Sequence, residues 1–181
     1  MKTNTREKLI ETFRAQILLK DFDKMTVAEI CRKANVSHAS FYRHFQDKYD
    51  LMTCALFEIF EAEGDTSAIL SLHSYEKFLE QNCIKMIETQ NQLKRIMNIS
   101  NGNIFWDGYC KLGISSFQKR IRLHTGKEKI PEKEQIMLYI YVIGSTQFSK
   151  KWVESNFPES PQTVAKAMVE AIPSALKKYF D

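Results

Sequence analysis

The stretch SHASFYRHFQDK, from Ser37 to Lys48, sets hydroxyl, imidazole, phenol, guanidinium and ammonium groups around Phe41 and Phe45. These are the side chains that read and grip a nucleic-acid groove. Arg43 can make a bidentate contact to the O6 and N7 acceptors of guanine. Ser40, His38 and His44 can hydrogen-bond to base edges or phosphates, and Ala39 can touch a thymine methyl. Tyr42 and Lys48 can reach phosphate oxygens. Metal binding is the weaker reading of the two histidines, because no carboxylate or thiol stands at ligand spacing. Elsewhere there is no HExxH, GxSxG, P-loop or GxGxxG pattern, and no cysteine with a neighbouring histidine. Glu61 and Glu63, or Glu132 and Glu134, stand two apart and point to different helix faces. The chemistry is that of binding, and no enzyme is expected.

Such a surface must be held in place by something else. Phe41 and Phe45 stand four apart, so on a helix from about His38 to Phe45 they share one face and anchor it, leaving the polar set on the other. A helix that short does not form alone. Upstream, Thr26 is an N-cap with Glu29 three residues on, a capping box opening a second helix that runs to about Ala34. Val27, Ile30, Cys31 and Ala34 form its inner face. Asn35 tolerates the left-handed conformation that ends a helix, and Ser37 caps the next, so the chain turns in three residues. A first helix, about Thr5 to Lys20, carries Leu9, Ile10, Phe13, Ile17 and Leu18 on one stripe. Two short helices joined by a tight turn and crossed by a longer one are the parts of a helix-turn-helix unit. The helix-start amides, including those after Thr26 and Ser37, add partial positive charge.

The stretch TVAEICRKANVSHASFYRHFQDKYDL resembles the TetR/AcrR-type helix-turn-helix. The features that carry the likeness are Thr26, Val36, Ser37, Phe41, Tyr42, His44, Phe45, Lys48 and Leu51. Asn35 stands where that family usually has Gly, and Ala39 replaces another common Gly. The resemblance implies a DNA-binding domain over residues 1–63, with the motif at 26–45, and a helical regulatory and dimerisation domain over 64–181. It implies DNA contacts from Thr26, Ser37, His38, Ala39, Ser40, Tyr42, Arg43, His44 and Lys48. It further implies a homodimer on double-stranded palindromic operator DNA, and a small-molecule effector held in the C-terminal bundle. The segment from Gly144 to Trp152 and the last helix, Ala165 to Phe180, would supply the dimer interface.

The rest of the chain fits an all-α reading. Six glycines and four prolines punctuate 181 residues, and apolar residues recur at three- and four-residue spacing. Helices are expected at about 47–63, 75–89, 91–99, 104–124, 131–155 and 162–180, about nine in all, with Pro173 kinking or interrupting the last. Gly64 and DTSAILSLHS mark the junction of the two parts, and SNGN breaks the chain near 100. A formal net charge of +4 is compatible with nucleic acid without arguing for it. Four scattered cysteines read as buried free thiols, and no cofactor is expected. The N-terminus lacks a signal-peptide apolar region and no run is long enough to span a membrane, so a cytoplasmic protein is expected. The aromatic set Phe105, Trp106, Tyr109, Phe117, Tyr139, Tyr141, Phe148 and Trp152 reads as core, with a pocket lining as the alternative. Two other functions remain open: an activator controlled by a partner protein, and a protein-docking module that never touches DNA.

Overall fold

The computed structural model describes residues 4–61, 71–98 and 103–180. The described residues form ten α-helices and no strand. They are α1 (Thr5–Ile17), α2 (Val27–Ala34), α3 (His38–Tyr42), α4 (Lys48–Glu61), α5 (Leu72–Glu88), α6 (Gln90–Met97), α7 (Asn103–Thr125), α8 (Glu132–Glu154), α9 (Pro161–Glu170) and α10 (Ser174–Lys177). The tenth helix arises at Pro173: the chain leaves α9 at Ala171, and Pro173 becomes the N-cap position of α10. The expected interruption is therefore a full break. The junction expected at Gly64, and residues 100–102 of the SNGN break, lie outside the described residues.

The chain divides into two compact units, residues 1–60 with 89–105 and residues 61–88 with 106–181. In the first, α1 packs against α2, α3 and α6. The buried stripe of α1 is Leu9, Ile10, Phe13 and Ile17; Ile30 and Cys31 of α2, Phe41 of α3, and Phe45 are buried as well, removed from water. The return of α6 to this unit, bringing buried Leu93 and Ile96, is not anticipated by a single division at residue 63.

In the second unit, α5 lies along α9 and α10 packs on α8. Its core gathers Phe117, Ile121, Leu138, Tyr141, Val142 and Val169 with Leu176 and Phe180. Phe117 stands edge-on to Tyr75, Tyr141 and Phe180 at centroid distances of 5.7, 5.5 and 5.6 Å, the arrangement aromatic quadrupoles favour. Gly113 permits close approach of α7 to α8, since a Cβ there would lie 2.9 Å from Val142 Cγ1. The α8–α9 corner closes on Trp152, whose indole N–H donates to the Glu159 carbonyl at 3.2 Å while Phe157 packs edge-on against it.

Candidate nucleic-acid interface

Each joint of the helix-turn-helix is built by a residue whose side chain or backbone suits it. Thr26 Oγ1 accepts from the Glu29 amide at 3.2 Å and so caps α2. The Glu29 carboxylate does not close the expected box. It turns instead to Lys20 at 2.5 Å and Lys33 at 3.8 Å, and the Lys20 hydrogen bond holds it below the usual carboxylate range. Asn35 sits at φ 53°, ψ 49°, the left-handed conformation expected of it. The Val36 amide then reaches the Cys31 carbonyl at 3.0 Å, closing the helix end as a Schellman turn. Ser37 Oγ accepts from the Ser40 amide at 3.1 Å and starts α3.

α3 is shorter than expected, ending at Tyr42, but the amides of His44 and Phe45 both bond to the Phe41 carbonyl at 2.9 Å, so the turn carries on to Phe45. Phe41 and Phe45 are buried. Ser37, His38, Ala39, Tyr42, Arg43 and His44 are exposed and Ser40 is half-buried. The short helix thus has the two faces its spacing requires.

The exposed face is internally organised. The Ser37 hydroxyl donates to Ser40 Oγ at 3.0 Å, and Arg43 Nη2 donates to the same oxygen at 2.6 Å. With two hydrogen bonds arriving at its oxygen, the Ser40 hydroxyl has a donor left to offer. Arg43 is held toward Ser40 by a charge-assisted hydrogen bond.

Lys48 is placed differently from the rest of the set. Its ammonium donates to the carbonyls of Phe22 at 3.0 Å, Asp23 at 3.1 Å and Met25 at 3.0 Å. It also lies 4.7 Å from the centre of the Phe22 ring. This contact spans more than twenty residues of sequence and no local pattern announces it. Reading the sequence also missed the clamp of Arg14, whose guanidinium donates twice to the Ala55 carbonyl, at 3.0 and 2.6 Å, and ties α1 to α4. The start of α4 is capped by Asp47, which accepts from the amides of Tyr49 and Asp50 at 2.8 and 2.9 Å.

Among the described residues, no three His, Cys, Asp or Glu side chains gather as a metal site, and no helix is long and apolar enough to cross a membrane. All four cysteines are free thiols; Cys31 and Cys83 are buried, and burial pushes the Cys83 thiol up to about 12.

Residues 9–53 match the family model described as bacterial regulatory proteins, tetR family. Over these residues the chain is similar to the DNA-binding domain of that family. No curated protein matches the sequence. Among solved structures, the dihydroxyacetone kinase operon activator DhaS is similar over 96% of this chain and 97% of its own, with a TM-score of 0.64 at 13% identity. RolR in its ligand-free form is similar over 96% and 95%, with a TM-score of 0.57 at 16% identity. These two likenesses establish a shared fold across both units. The matched residues run from within α1 to the start of α4 and so include the whole helix-turn-helix. The family resemblance thus falls on the helix-turn-helix, and the likeness over the rest of the chain is one of fold.

Proposed function

We propose that the protein is a ligand-responsive transcriptional repressor that binds a palindromic operator as a homodimer in the cytoplasm. The observation that carries the DNA-binding half is the α3 face, where polar side chains stand outward over two buried phenylalanines. On this reading Arg43 and Ser40 read bases together. Arg43 is a donor fork, and Ser40 has a donor remaining, so the pair favours a base edge rich in acceptors, the N7 and O6 of guanine. His38, Ala39 and His44 border that contact, while Tyr42, Ser37 and the Thr26-capped start of α2 hold the phosphates.

Dimerisation is supported by α8. Its inner face, with Leu138, Tyr141, Val142, Trp152 and Val153, is buried in its own unit. Its outer face also carries apolar residues, with Ile136, Tyr139, Ile140, Ile143 and Phe148 between 40 and 68% exposed. A helix apolar on both sides is built for two partners. Gly144 lies beside this face with open space where a Cβ would stand, which allows close approach of a second helix. The expected stripe of the last helix, Ala165, Val169, Ile172, Leu176 and Phe180, is instead buried in the same chain. On this reading the outer face of α8 supplies the interface.

The effector reading rests on the interior of the second unit. Tyr75, Tyr109 and Tyr141 bring phenols among apolar side chains, and burial raises the pKa of each, that of Tyr141 to about 12. A few polar groups in an apolar surround suit small-molecule recognition. An effector acts only if it binds one separation of the two recognition helices better than another.

A second reading, an activator, is favoured by the likeness to DhaS, whose name describes it as an operon activator. Transcription from a promoter carrying the selected operator separates the two by sign. The DNA-binding claim itself is tested by titrating duplex DNA at increasing salt. Affinity should fall steeply with ionic strength, and a salt-independent or absent affinity would leave only the protein-docking reading.

A further inference from the structure

The geometry points to Lys48 as a positioning residue that staples the two ends of the helix-turn-helix together, and not as a phosphate contact. This inference rests on the DNA-binding reading above. An ammonium has three N–H donors, and here three carbonyl oxygens receive them at 3.0 to 3.1 Å. Those carbonyls belong to Phe22 and Asp23, in the 3-10 turn Phe22–Lys24, and to Met25, immediately before the Thr26 cap of α2. Lys48 is itself the first residue of α4, just beyond the end of the recognition turn. Everything that faces a groove, from Thr26 to His44, therefore lies between the two points that Lys48 joins.

The local environment favours a fixed cation. The carbonyls at the end of a helical turn carry partial negative charge, and the Phe22 and Tyr49 rings stand 4.7 and 5.6 Å from the ammonium. Turning outward to a phosphate strips all three carbonyls of this partner. The requirement is for lysine specifically, since a compact ammonium meets a tripod of oxygens and the planar guanidinium fork of arginine does not.

The test compares wild type, Lys48→Met and Lys48→Arg in the full chain, with two DNA probes. One is a duplex selected from a random pool by the wild-type protein, the other a scrambled duplex of equal length. If Lys48 is a staple, both variants keep the wild-type slope of log K against log salt on scrambled DNA. Both also lose at least ~10-fold in the ratio of specific to non-specific affinity, because the recognition face is displaced while its phosphate contacts remain. Lys48→Arg then fails to restore that ratio. If Lys48 grips a phosphate, Lys48→Met lowers the salt slope by about 0.9 and weakens both duplexes equally, and Lys48→Arg restores both; that result overturns the inference. Should Lys48→Met fail to fold, the wild-type protein still decides. The Lys48 ammonium should give an observable ¹H–¹⁵N cross-peak without DNA that scrambled duplex leaves unshifted, and a large shift overturns the staple. Wild type that binds neither duplex overturns the DNA-binding reading, while the cross-peak without DNA still reports whether the tripod exists: its absence overturns the staple.

Discussion

α3 and α8 expose opposite chemistries, and the contrast says what each is for. The α3 segment buries Phe41 and, just beyond the helix, Phe45, and turns a polar, partly cationic surface outward, chemistry suited to a hydrated, anionic partner. α8 is long, fills its own core with one face, and leaves isoleucines and aromatics on the other. Burying that outer face against protein recovers about 25 cal/mol per Å² of apolar area. A groove of phosphates recovers nothing comparable from it. On the proposed function, the first surface meets DNA and the second meets another helix.

The comparison is broken most severely at Phe41. Phe41→Ala should cost about 3–5 kcal/mol in the first unit, and chemical denaturation should show that unit melting early with DNA binding gone. If the variant keeps full stability, the packing assigned to α3 is wrong. Next comes the outer face of α8. Ile140→Asp together with Ile143→Asp should leave helicity unchanged by circular dichroism and convert the dimer to monomer in sedimentation. Operator affinity should fall by at least ~100-fold through loss of the second half-site's effective concentration. A double variant that still sediments as a dimer places the interface elsewhere.

Smaller effects sharpen the reading of α3 itself. Arg43→Ala should cost ~1–3 kcal/mol on the selected duplex and relax one base position, and Ser40→Ala should relax the same position by less. A double-mutant cycle should show the two to be coupled, because they share a hydrogen bond at 2.6 Å; additive losses would separate them. Smallest is Asn35→Gly, which relieves a left-handed residue of its Cβ and should change stability by under ~1 kcal/mol, in the stabilising direction. A clear loss in thermal denaturation would mean that the Asn35 side chain does something the backbone does not show.

What could be read from the sequence was local. Thr26, Asn35 and Ser37 act within a few residues of themselves, so their residue types alone predict the caps and the turn, and Pro173 breaks its helix by its own ring and missing N–H. The two-sided face of α3 follows from the spacing of Phe41 and Phe45. Contacts made across long stretches of sequence were not legible. Lys48 looks like any solvated lysine until the carbonyls of Phe22, Asp23 and Met25 are brought beneath it. Glu29 completes a capping box on paper, but Lys20 and Lys33 offer it full charges where the box offers one amide. In α8 the signal is present in the sequence. Tyr139 and Phe148, expected among the core or pocket aromatics, are exposed, because a helix with apolar residues on every side has more apolar surface than one core can take.

The proposed dimer would set its two α3 faces on successive turns of one duplex. Selection of binding sites by the full chain from random-sequence double-stranded DNA tests that most directly. The expected result is an inverted repeat whose half-sites are centred about one helical turn, 10–10.5 base pairs, or a multiple of it, apart. Enrichment of a single unrepeated motif, or no enrichment at all, would contradict it.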